Sequence, residues 1–248
     1  MEEQLMKAML AVDEQHWWYR GRRRVIAAEL ERLSLPQSAR VLDAGCGSGR
    51  TMVDLQSYGD VVGIELSDDA AEVARSRGCG EVVSGRVEEL PWEADTFDLI
   101  TCLDVIEHTP DDRVALSELR RVCRPGGWLL VTVPAYQALW SSHDVANHHY
   151  RRYARRSLRA ASVDAGWDVV RLTSFNTLLL PPAAAFRIVQ RRRAANGNAS
   201  ESSDLRLGPP WLNAALEAPL RLEARWLAKG HSLGAGLSLL AILRNGSG

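Results

Sequence analysis

A chain of 248 residues that is 46% hydrophobic and 25% charged has enough apolar material to fold, which excludes a wholly disordered protein. Its 30 basic and 31 acidic residues nearly cancel, whereas a dedicated duplex-binding protein normally carries a basic excess. We expect no secretory signal and no spanning helix, and four scattered cysteines indicate a reducing, cytoplasmic setting.

The first predicted element is a helix over 13–33, which Pro36 ends. Strands and helices then alternate as far as Pro134. Five strands are expected, within ARVLDAG, DVVGIELS, EVVSGRVEELP, TFDLITCLDVIEH and GGWLLVTVP. This alternation predicts right-handed βαβ units and therefore a parallel sheet that is covered by helices on both faces.

Beyond Pro134 the pattern changes. A helix is predicted in RRSLRAASVDAG, a sixth strand in WDVVRLTSF and a seventh in HSLGAGLSLLAILR. About 55 residues separate the last two strands, which is too many for a hairpin loop. They comprise an apolar segment ending in arginines, a polar link (AANGNASESSD) predicted to be disordered, and an amphipathic helix candidate that Pro219 interrupts.

The segment VLDAGCGSG joins a predicted strand to a glycine-rich turn. It lacks the lysine of a phosphate-binding P-loop, and its glycine spacing differs from that of dinucleotide-binding turns. Asp43 would repel a pyrophosphate but suits a ligand with an ammonium group, and Gly45 and Gly47 let the backbone approach that ligand closely. Glu65, at the end of the next strand, can accept both hydroxyls of a ribose. A nicotinamide-binding Rossmann protein and a ligand-free turn remain alternatives.

From Val41 to Pro134 the chain resembles the class I S-adenosylmethionine (SAM)-dependent methyltransferases, in particular their ubiquinone-biosynthesis-like branch. The similarity rests on VLDAGCGSG, VVGIE, VEELPWEADTFDLITCLDVIEHTPD and LRRVCRPGGWLLVTVP. It implies an α/β, Rossmann-like seven-stranded sheet with an antiparallel seventh strand, an N-terminal helical lid and a helical insertion between strands 6 and 7. We expect one domain over 1–248, with the lid, SAM-binding core, insertion and last strand at 1–35, 36–175, 176–231 and 232–248.

The same resemblance implies SAM as the cofactor. The lid would place the aromatic face of Tyr19 near the sulfonium, and Arg23 or its neighbour Arg22 near the cofactor carboxylate. Arg86 stands where many members of the family carry an aspartate for the adenine amine. The residues that this resemblance and the glycine turn assign to the cofactor are Asp43, Gly45, Cys46, Gly47, Glu65, Leu66, Val87, Cys102, Leu103, Tyr19 and Arg23.

The loop after the fifth strand, AYQALWSSHDVANHHYRRY, concentrates groups that can move a proton. An imidazole oriented by an aspartate can act as a base, so the catalytic candidates are His149, His143 and Asp144. A related subgroup of the family carries a similar stretch. The candidate substrate contacts are Tyr136, Trp140, Arg152, Tyr153 and, after the fourth strand, His108. Potential metal ligands between 143 and 149 lack cysteine support and helical spacing, so no metal is predicted.

The sequence therefore predicts transfer of a methyl group from SAM to an oxygen, nitrogen or carbon atom of a small-molecule or lipid-linked biosynthetic intermediate. Such a displacement depends mainly on the alignment of nucleophile, methyl group and sulfur. Two alternatives remain open: a SAM-binding regulatory protein that transfers nothing, and an NAD(P)-dependent oxidoreductase.

Ten arginines against two aspartates make the stretch from Tyr150 to Arg193 strongly basic. Segment 176–193 can therefore lie against anionic lipid headgroups, which would add membrane association to the cytoplasmic setting. The alternative for the insertion is a cap over the site or the face of a homodimer. We expect no nucleic-acid partner, because the fourth strand ends in LDVIEH and lacks the Pro-Pro-aromatic tetrad of base-amino methyltransferases.

Overall fold

The computed structural model describes residues 12–185 and 208–246, apart from the His143 side chain. The predicted disordered link and residues 186–193 of the predicted lipid-contacting segment lie outside the described residues. Each of the seven predicted strands is present. They are β1 (Ala39–Ala44), β2 (Gly59–Glu65), β3 (Glu81–Ser84), β4 (Phe97–Leu103), β5 (Cys123–Pro134), β6 (Asp168–Phe175) and β7 (Ser238–Arg244).

The strands form a seven-stranded sheet in the order β3-β2-β1-β4-β5-β7-β6. Strands β1 to β5 are parallel, and β7 is antiparallel to both β5 and β6. This arrangement confirms the predicted Rossmann-like fold with an antiparallel seventh strand. Because β1 lies between β2 and β4, the C-terminal ends of these three strands meet at one edge, where open α/β sheets bind ligands.

Helices pack on the sheet and supply two hydrophobic cores. The helix predicted over 13–33 is interrupted at His16: residues 12–15 are helical, and a second helix runs over Trp17–Leu30. The His16 side chain accepts a hydrogen bond from the Trp18 N–H and caps this second helix. Among the described helices, none has the length and hydropathy needed to cross a membrane. The helices are α1 (Trp17–Leu30), α2 (Arg50–Leu55), α3 (Asp68–Ser76), α4 (Asp112–Val122), α5 (Ser142–Ala146), α6 (Arg155–Asp164) and α7 (Pro210–Ala228).

Helix α7, which belongs to the insertion, packs along the N-terminal helix α1. The two helices approach so closely at Gly21 that a Cβ atom there would lie 2.3 Å from the Leu220 Cδ1 atom. Leu220 itself is fully buried. A glycine in the middle of a helix is normally a weak point, but here the packing of the two helices requires it.

The expected interruption at Pro219 does not occur, and α7 continues through this residue. A proline inside a helix removes a backbone hydrogen bond and costs about 3 kcal/mol. The face of α7 that is turned to the protein buries Glu217 and Leu220 on either side of the proline, followed by Ala224 and Leu227. The packing of this face offsets the local preference to break the helix.

Glu223 fixes α7 to the chain that leaves β6. Its buried carboxylate accepts hydrogen bonds from the backbone N–H groups of Asn176 at 2.6 Å, Thr177 at 2.8 Å and Leu178 at 3.0 Å. Burial raises the pKa of Glu223, although these three donors oppose the rise. Asn176 has a φ of 61°, so the carboxylate stabilises a left-handed turn. The first residues of the insertion are thereby held by its last helix.

We expect Gly21→Ala to lower the free energy of unfolding by about 1–3 kcal/mol, because the added methyl group overlaps Leu220. Helix propensity alone predicts the opposite, a gain of about 1 kcal/mol. Urea denaturation followed by circular dichroism separates the two outcomes. The double variant Gly21→Ala/Leu220→Ala is the control, and its loss of stability should be smaller than the sum of the single losses. A stabilised single variant, or additive losses, would contradict the close helix contact.

Candidate functional site

The turn between β1 and α2 is built on glycines with a left-handed backbone. Gly45, Gly47 and Gly49 have φ values of 76°, 55° and 78°, which residues with a side chain rarely adopt. A Cβ atom at Gly45 would lie 2.4 Å from Val105, whereas one at Gly47 would meet nothing within 4 Å. Gly47 therefore borders open space at the C-terminal edge of the sheet, in line with the close ligand approach that the sequence predicts.

Asp43 lies near the end of β1 and is 1% exposed. Its Oδ1 atom accepts a hydrogen bond from the Thr101 hydroxyl at 2.7 Å, and Oδ2 has no hydrogen-bond partner among the described residues. Burial raises the pKa of Asp43 to about 6, although Thr101 and the charge of Arg22 oppose the rise. A buried oxygen without a donor is costly, so Oδ2 suits a cationic or hydrogen-bond-donating group of a ligand.

Glu65 ends β2 and contacts the glycine turn. Its Oε2 atom accepts a hydrogen bond from the Gly47 N–H at 2.8 Å, and Oε1 accepts one from the Ser67 N–H at 3.0 Å. These bonds orient the carboxylate beside the turn, and each oxygen has capacity for a further donor such as a ribose hydroxyl. The neighbouring Leu66 is 63% exposed and can cover a planar ring. The predicted ribose acid therefore lies beside the predicted glycine turn.

Four of the predicted cofactor residues offer little side-chain surface, because Cys46, Val87, Cys102 and Leu103 are buried. The Cys46 N–H donates to the Ile64 carbonyl oxygen at 3.0 Å and is therefore already engaged. Cys102 pairs with strands on both sides, whereas Leu103 ends β4 and pairs with β5 alone. Of the two predicted backbone contacts from β4, Leu103 is the one at the open edge of the sheet.

Arg22 is the lid arginine that reaches this edge. Its Nη1 atom lies 2.5 Å from Oδ2 of Asp104, the residue that follows β4 with a φ of 57°. Arg23 instead donates to the Asp13 carbonyl oxygen at 2.7 Å and lies 3.4 Å from Asp54. The predicted cofactor role of Arg23 stays a prediction, and of the two lid arginines Arg22 is the one that contacts the residue following β4. Successive side chains of a helix differ in direction by about 100°, so only one of the two arginines can face the site.

Tyr19 lies on the same side of α1 as Arg22, with its ring centroid 5.4 Å from the guanidinium carbon. Burial raises the pKa of its hydroxyl, so the ring is uncharged at neutral pH. By contrast, Trp18 stacks on Phe175 at a centroid distance of 5.8 Å and belongs to the core. The position of Tyr19 is compatible with its predicted place in the lid.

The chain before α1 is tied to the glycine turn by contacts that the sequence did not indicate. The Ser48 hydroxyl donates to the Asp13 carboxylate. Arg77 donates from Nε to the Ser48 carbonyl oxygen at 2.7 Å, and its Nη2 atom lies 3.2 Å from Asp13. Residues 13, 48 and 77 are far apart along the chain, and their spacing carries no recognisable signal.

In the loop after β5, Asp144 binds several other residues of the same loop. Its buried carboxylate accepts hydrogen bonds from Arg152 at 2.6 and 2.9 Å and from the Ser141 N–H at 2.8 Å, and it lies 2.9 Å from Nδ1 of His149. Burial alone would raise the pKa of Asp144, but the hydrogen bonds from His149 and Arg152 hold it well below its usual range. Asp144 is therefore ionised and orients His149, and it is not itself a proton acceptor.

Two predicted substrate contacts, Arg152 and Tyr153, are buried in the structure, and their role toward a substrate stays a prediction. Tyr153 is 2% exposed, and its hydroxyl donates to Oδ2 of Asp112 at 2.6 Å. Arg152 is also buried, with its guanidinium held by Asp144. The backbone of Tyr153 also pairs with Ala135 in an isolated bridge next to β5.

The remaining loop candidates keep their status as predictions. Tyr136 is half-buried and has a φ of 61°, and Trp140 is half-buried as well. His143 lies in α5, but its side chain is outside the described part of the structure.

His108 and His149 meet at the C-terminal edge of the sheet, with ring centroids 4.5 Å apart and ring planes at 87°. Burial and the neighbouring His149 lower the pKa of His108, which favours its neutral form. The buried Glu107, which the sequence did not single out, has a carboxylate oxygen within 4.8 Å of a ring nitrogen of each histidine. Its burial and the charge of Asp104 raise its pKa well above the usual range.

Comparison with known proteins decides the family. A family model described as a methyltransferase domain matches residues 42–131. The malonyl-[acyl-carrier protein] O-methyltransferase of Salmonella typhimurium is 32% identical over 181 residues, which is 68% of this chain and 70% of that protein. The chain belongs to the SAM-dependent methyltransferase family.

Other methyltransferases match shorter parts of the chain. The ubiquinone biosynthesis O-methyltransferase of Bordetella avium is 38% identical over 100 residues, so the match spans 38% of this chain and only 42% of that relative. Among solved structures, a Haloferax volcanii protein in complex with the methyltransferase activator Trm112 has a TM-score of 0.64 and 18% identity, covering 99% of this chain and 96% of that one. This last likeness shows the fold.

The edge of the sheet fits the cofactor of the methyltransferase family. SAM carries an ammonium group and a ribose diol, which match the unpartnered Oδ2 atom of Asp43 and the oriented carboxylate of Glu65. The open space at Gly47 leaves room between the two. Arg22 adds a positive charge of the kind that a carboxylate group of a ligand requires.

We expect Asp43→Asn to raise the free energy of unfolding of the cofactor-free protein by about 1–3 kcal/mol near pH 7.5. A carboxyl whose pKa rises to about 6 on folding binds its proton more tightly in the folded state. The wild-type free energy of unfolding therefore falls as the pH rises from about 4 to about 6, and asparagine removes this fall.

Urea titrations of both proteins near pH 4 and pH 7.5 measure this difference. Asp60→Asn, which changes an exposed carboxylate on β2, is the matched control. The account of Asp43 is wrong if the difference between wild type and Asp43→Asn is the same at both pH values.

Proposed function

We propose that this protein transfers a methyl group from SAM to an oxygen, nitrogen or carbon atom of a small-molecule or lipid-linked biosynthetic intermediate. The observation that carries the proposal is the buried Asp43 carboxylate, whose unpartnered oxygen lies at the same edge as Gly47 and Glu65. A nicotinamide dinucleotide presents a pyrophosphate to this turn, and an ionised Asp43 would repel it. A ligand with an ammonium group supplies the missing partner.

When bound, SAM supplies a methyl group on a good leaving group. The protein then has to hold the acceptor in line and receive its proton where the acceptor is protonated. His149 is the residue we assign to that proton, since Asp144 lies 2.9 Å from its Nδ1 atom and thereby orients the ring. Arg152 keeps Asp144 ionised, so the imidazolium formed on His149 gains a fixed counter-charge.

The charge of Arg22 acts on both the cofactor end and the acceptor end of the proposed site. Arg22 lowers the pKa of Asp43 at one end and that of Glu107 at the other. It also pairs with Asp104 between them. This shared charge supports a common location for the proposed proton acceptor and the proposed methionine site, which an in-line transfer requires.

Calorimetric titration of the whole chain tests the proposed cofactor. We expect SAM and S-adenosylhomocysteine to bind and NAD not to bind. Glu65→Gln should weaken SAM binding about 5- to 150-fold, equivalent to about 1–3 kcal/mol of lost hydrogen bonding. Glu81→Gln, at the exposed start of β3, is the control and should bind as the wild type does. Binding of NAD in preference to SAM would overturn the proposed function.

Turnover is tested with labelled SAM and a metabolite and lipid extract of the source cells. His149→Ala should leave the SAM dissociation constant unchanged and reduce methyl incorporation at least about 100-fold, because the acceptor proton has no base. His148→Asn, which removes the adjacent exposed imidazole and suits the φ of 55° at that position, is the matched control. Incorporation by His149→Ala at the wild-type rate would remove His149 from the reaction, and SAM binding without any incorporation would favour a regulatory protein.

We further infer that α7 lies against an anionic lipid surface and that the acceptor is lipid-linked. The solvent face of α7 carries Trp211, Leu222 and Trp226, which are 71%, 57% and 49% exposed. At helical spacing these side chains share one stripe. Exposed apolar patches of this kind mark interaction surfaces.

The charges of α7 favour a membrane surface over a second protein copy as the occupant. Both acidic side chains of the helix, Glu217 and Glu223, are buried toward the protein. Arg221, Arg225 and the following Lys229 are exposed beside the apolar stripe. A helix with aromatic and aliphatic residues on one face and only cations at its borders is typical of binding at an anionic interface.

Flotation with phosphatidylcholine vesicles, with and without about one third phosphatidylglycerol, tests this contact. We expect flotation with the anionic vesicles only, and Trp211→Ser/Trp226→Ser should reduce it at least about tenfold through lost apolar burial. Val163→Ser changes an exposed apolar residue on α6 and is the control. If the wild type does not float, or if the double variant instead converts a dimer to a monomer in light scattering, the stripe is not a lipid contact.

A further inference from the structure

A cavity of about 390 Å³ lies between the N-terminal helix α1 and the helix α2 that follows the glycine turn. A volume of this size is sufficient for a small organic ligand. The lining residues of α1 recur at the spacing of one helical face, and they include Arg20, Arg23, Arg24, Ala27 and Leu30. Arg22, by contrast, pairs with Asp104 at the end of β4. The cavity therefore borders a different side of α1 from the one that reaches the proposed cofactor site.

The described lining of the cavity is basic, with three arginines from α1 and Arg50 from α2 against Glu31 and Asp54. Arg23 and Arg50 share the carboxylate of Asp54, at distances of 3.4 Å and 2.7 Å. Burial, together with the charge of Arg50, lowers the pKa of Arg23. The two guanidinium groups therefore repel each other, and an anionic ligand would offset the repulsion that Asp54 only partly relieves.

Arg20 and Arg24 have donors to offer such a ligand. Both contact the buried Glu217 of α7 through Nε, Arg20 at 3.0 Å and Arg24 at 2.9 Å. A guanidinium has five N–H donors, so each arginine also has those on its Nη atoms. The two side chains are 45% and 49% exposed, and Glu217 limits their movement. Binding would therefore cost less side-chain freedom than it does at an unpaired surface arginine.

The lining also has an apolar part. Ile26, Leu30 and Leu55, which are all buried, line the cavity together with the half-buried Tyr58. An inorganic anion gains little from these side chains, whereas a planar ring buries apolar surface against them. The cavity therefore suits a ligand that has both an anionic group and a ring.

We propose that the cavity between α1 and α2 binds a small organic phosphate that carries a planar ring. A phosphate monoester carries a charge of about −1.5 to −2 at pH 7 and presents three strong acceptor oxygens, enough for several guanidinium groups. Arginine is the side chain that matches phosphate in two-pronged hydrogen bonds. In the segment RGRRR at 20–24, Arg22 reaches the edge of the sheet and the other three arginines border this cavity. For Arg23 this role differs from the predicted contact with the cofactor.

Calorimetric titration of the full chain with phenyl phosphate tests the site, with inorganic phosphate as the ligand that lacks a ring. We expect phenyl phosphate to bind with a Kd below about 1 mM, more weakly at high salt. Inorganic phosphate should bind at least about fivefold more weakly, and Tyr58→Ala should remove this difference. Arg50→Gln should weaken the binding of both ligands at least about tenfold. Arg113→Gln, which replaces an exposed arginine paired with Asp164, is the matched control.

Failure of phenyl phosphate to bind, or wild-type affinity in Arg50→Gln, would overturn the proposal. Equal affinities of the wild type for the two ligands would also overturn it, because they indicate a general anion contact without a ring site. Should Arg50→Gln fail to fold, Arg24→Gln at the exposed position provides the same test.

A phosphate group could also come from a lipid headgroup, and the vesicle flotation assay distinguishes the two sources. If the wild type binds no phenyl phosphate while Arg50→Gln no longer floats with anionic vesicles, the cavity binds a lipid phosphate and the proposal is wrong. Unchanged flotation of Arg50→Gln together with binding of phenyl phosphate supports a free ligand. None of these measurements involves SAM, so their outcome is independent of the proposed function.

Discussion

The fold leaves one carboxylate, Asp43, without a full set of donors in the middle of a parallel sheet. Burial disfavours its charge, and the Thr101 hydroxyl and the Arg22 guanidinium only partly compensate. Two neighbouring features bear on this carboxylate. The turn of left-handed glycines leaves open space beside Asp43. The lid helix supplies Arg22, which pairs with Asp104. A site of this kind is less stable when empty and gains most from a cationic ligand.

Three buried acids show how environment separates the roles of similar groups. Asp144 is surrounded by donors and stays ionised, so it orients a histidine. Neither carboxylate oxygen of Glu107 has a hydrogen-bond partner within the described ranges 12–185 and 208–246, and burial favours its protonated form. Asp43 lies between these extremes, with one oxygen satisfied. The number of hydrogen bonds to each carboxylate, more than its depth in the protein, distinguishes an acid with a lowered pKa from one with a raised pKa.

The strands, the glycine turn and the acid at the end of β2 were predictable because their signals are local: apolar runs, positive-φ glycines and a charged strand end. The choice between Arg22 and Arg23 depended on the rotation of a helix, which is fixed by its packing on α7 and by the contact of Trp18 with Phe175. Burial of Arg152 and Tyr153 and the grouping of Glu107 with His149 are products of tertiary contacts between distant segments. Continuation of α7 through Pro219 likewise depended on packing that overrides local preference.

The contact between Gly21 and Leu220 joins the first helix to the last part of the insertion, and Glu223 joins that part to the start of the insertion. The two segments that lie outside the generic nucleoside-binding core are therefore one mechanical unit. A sequence change that reshapes the insertion for another acceptor would also shift the helix that carries Arg22. A change to another acceptor would thus require substitutions in α1 and α7 together, while the central sheet stays unaltered.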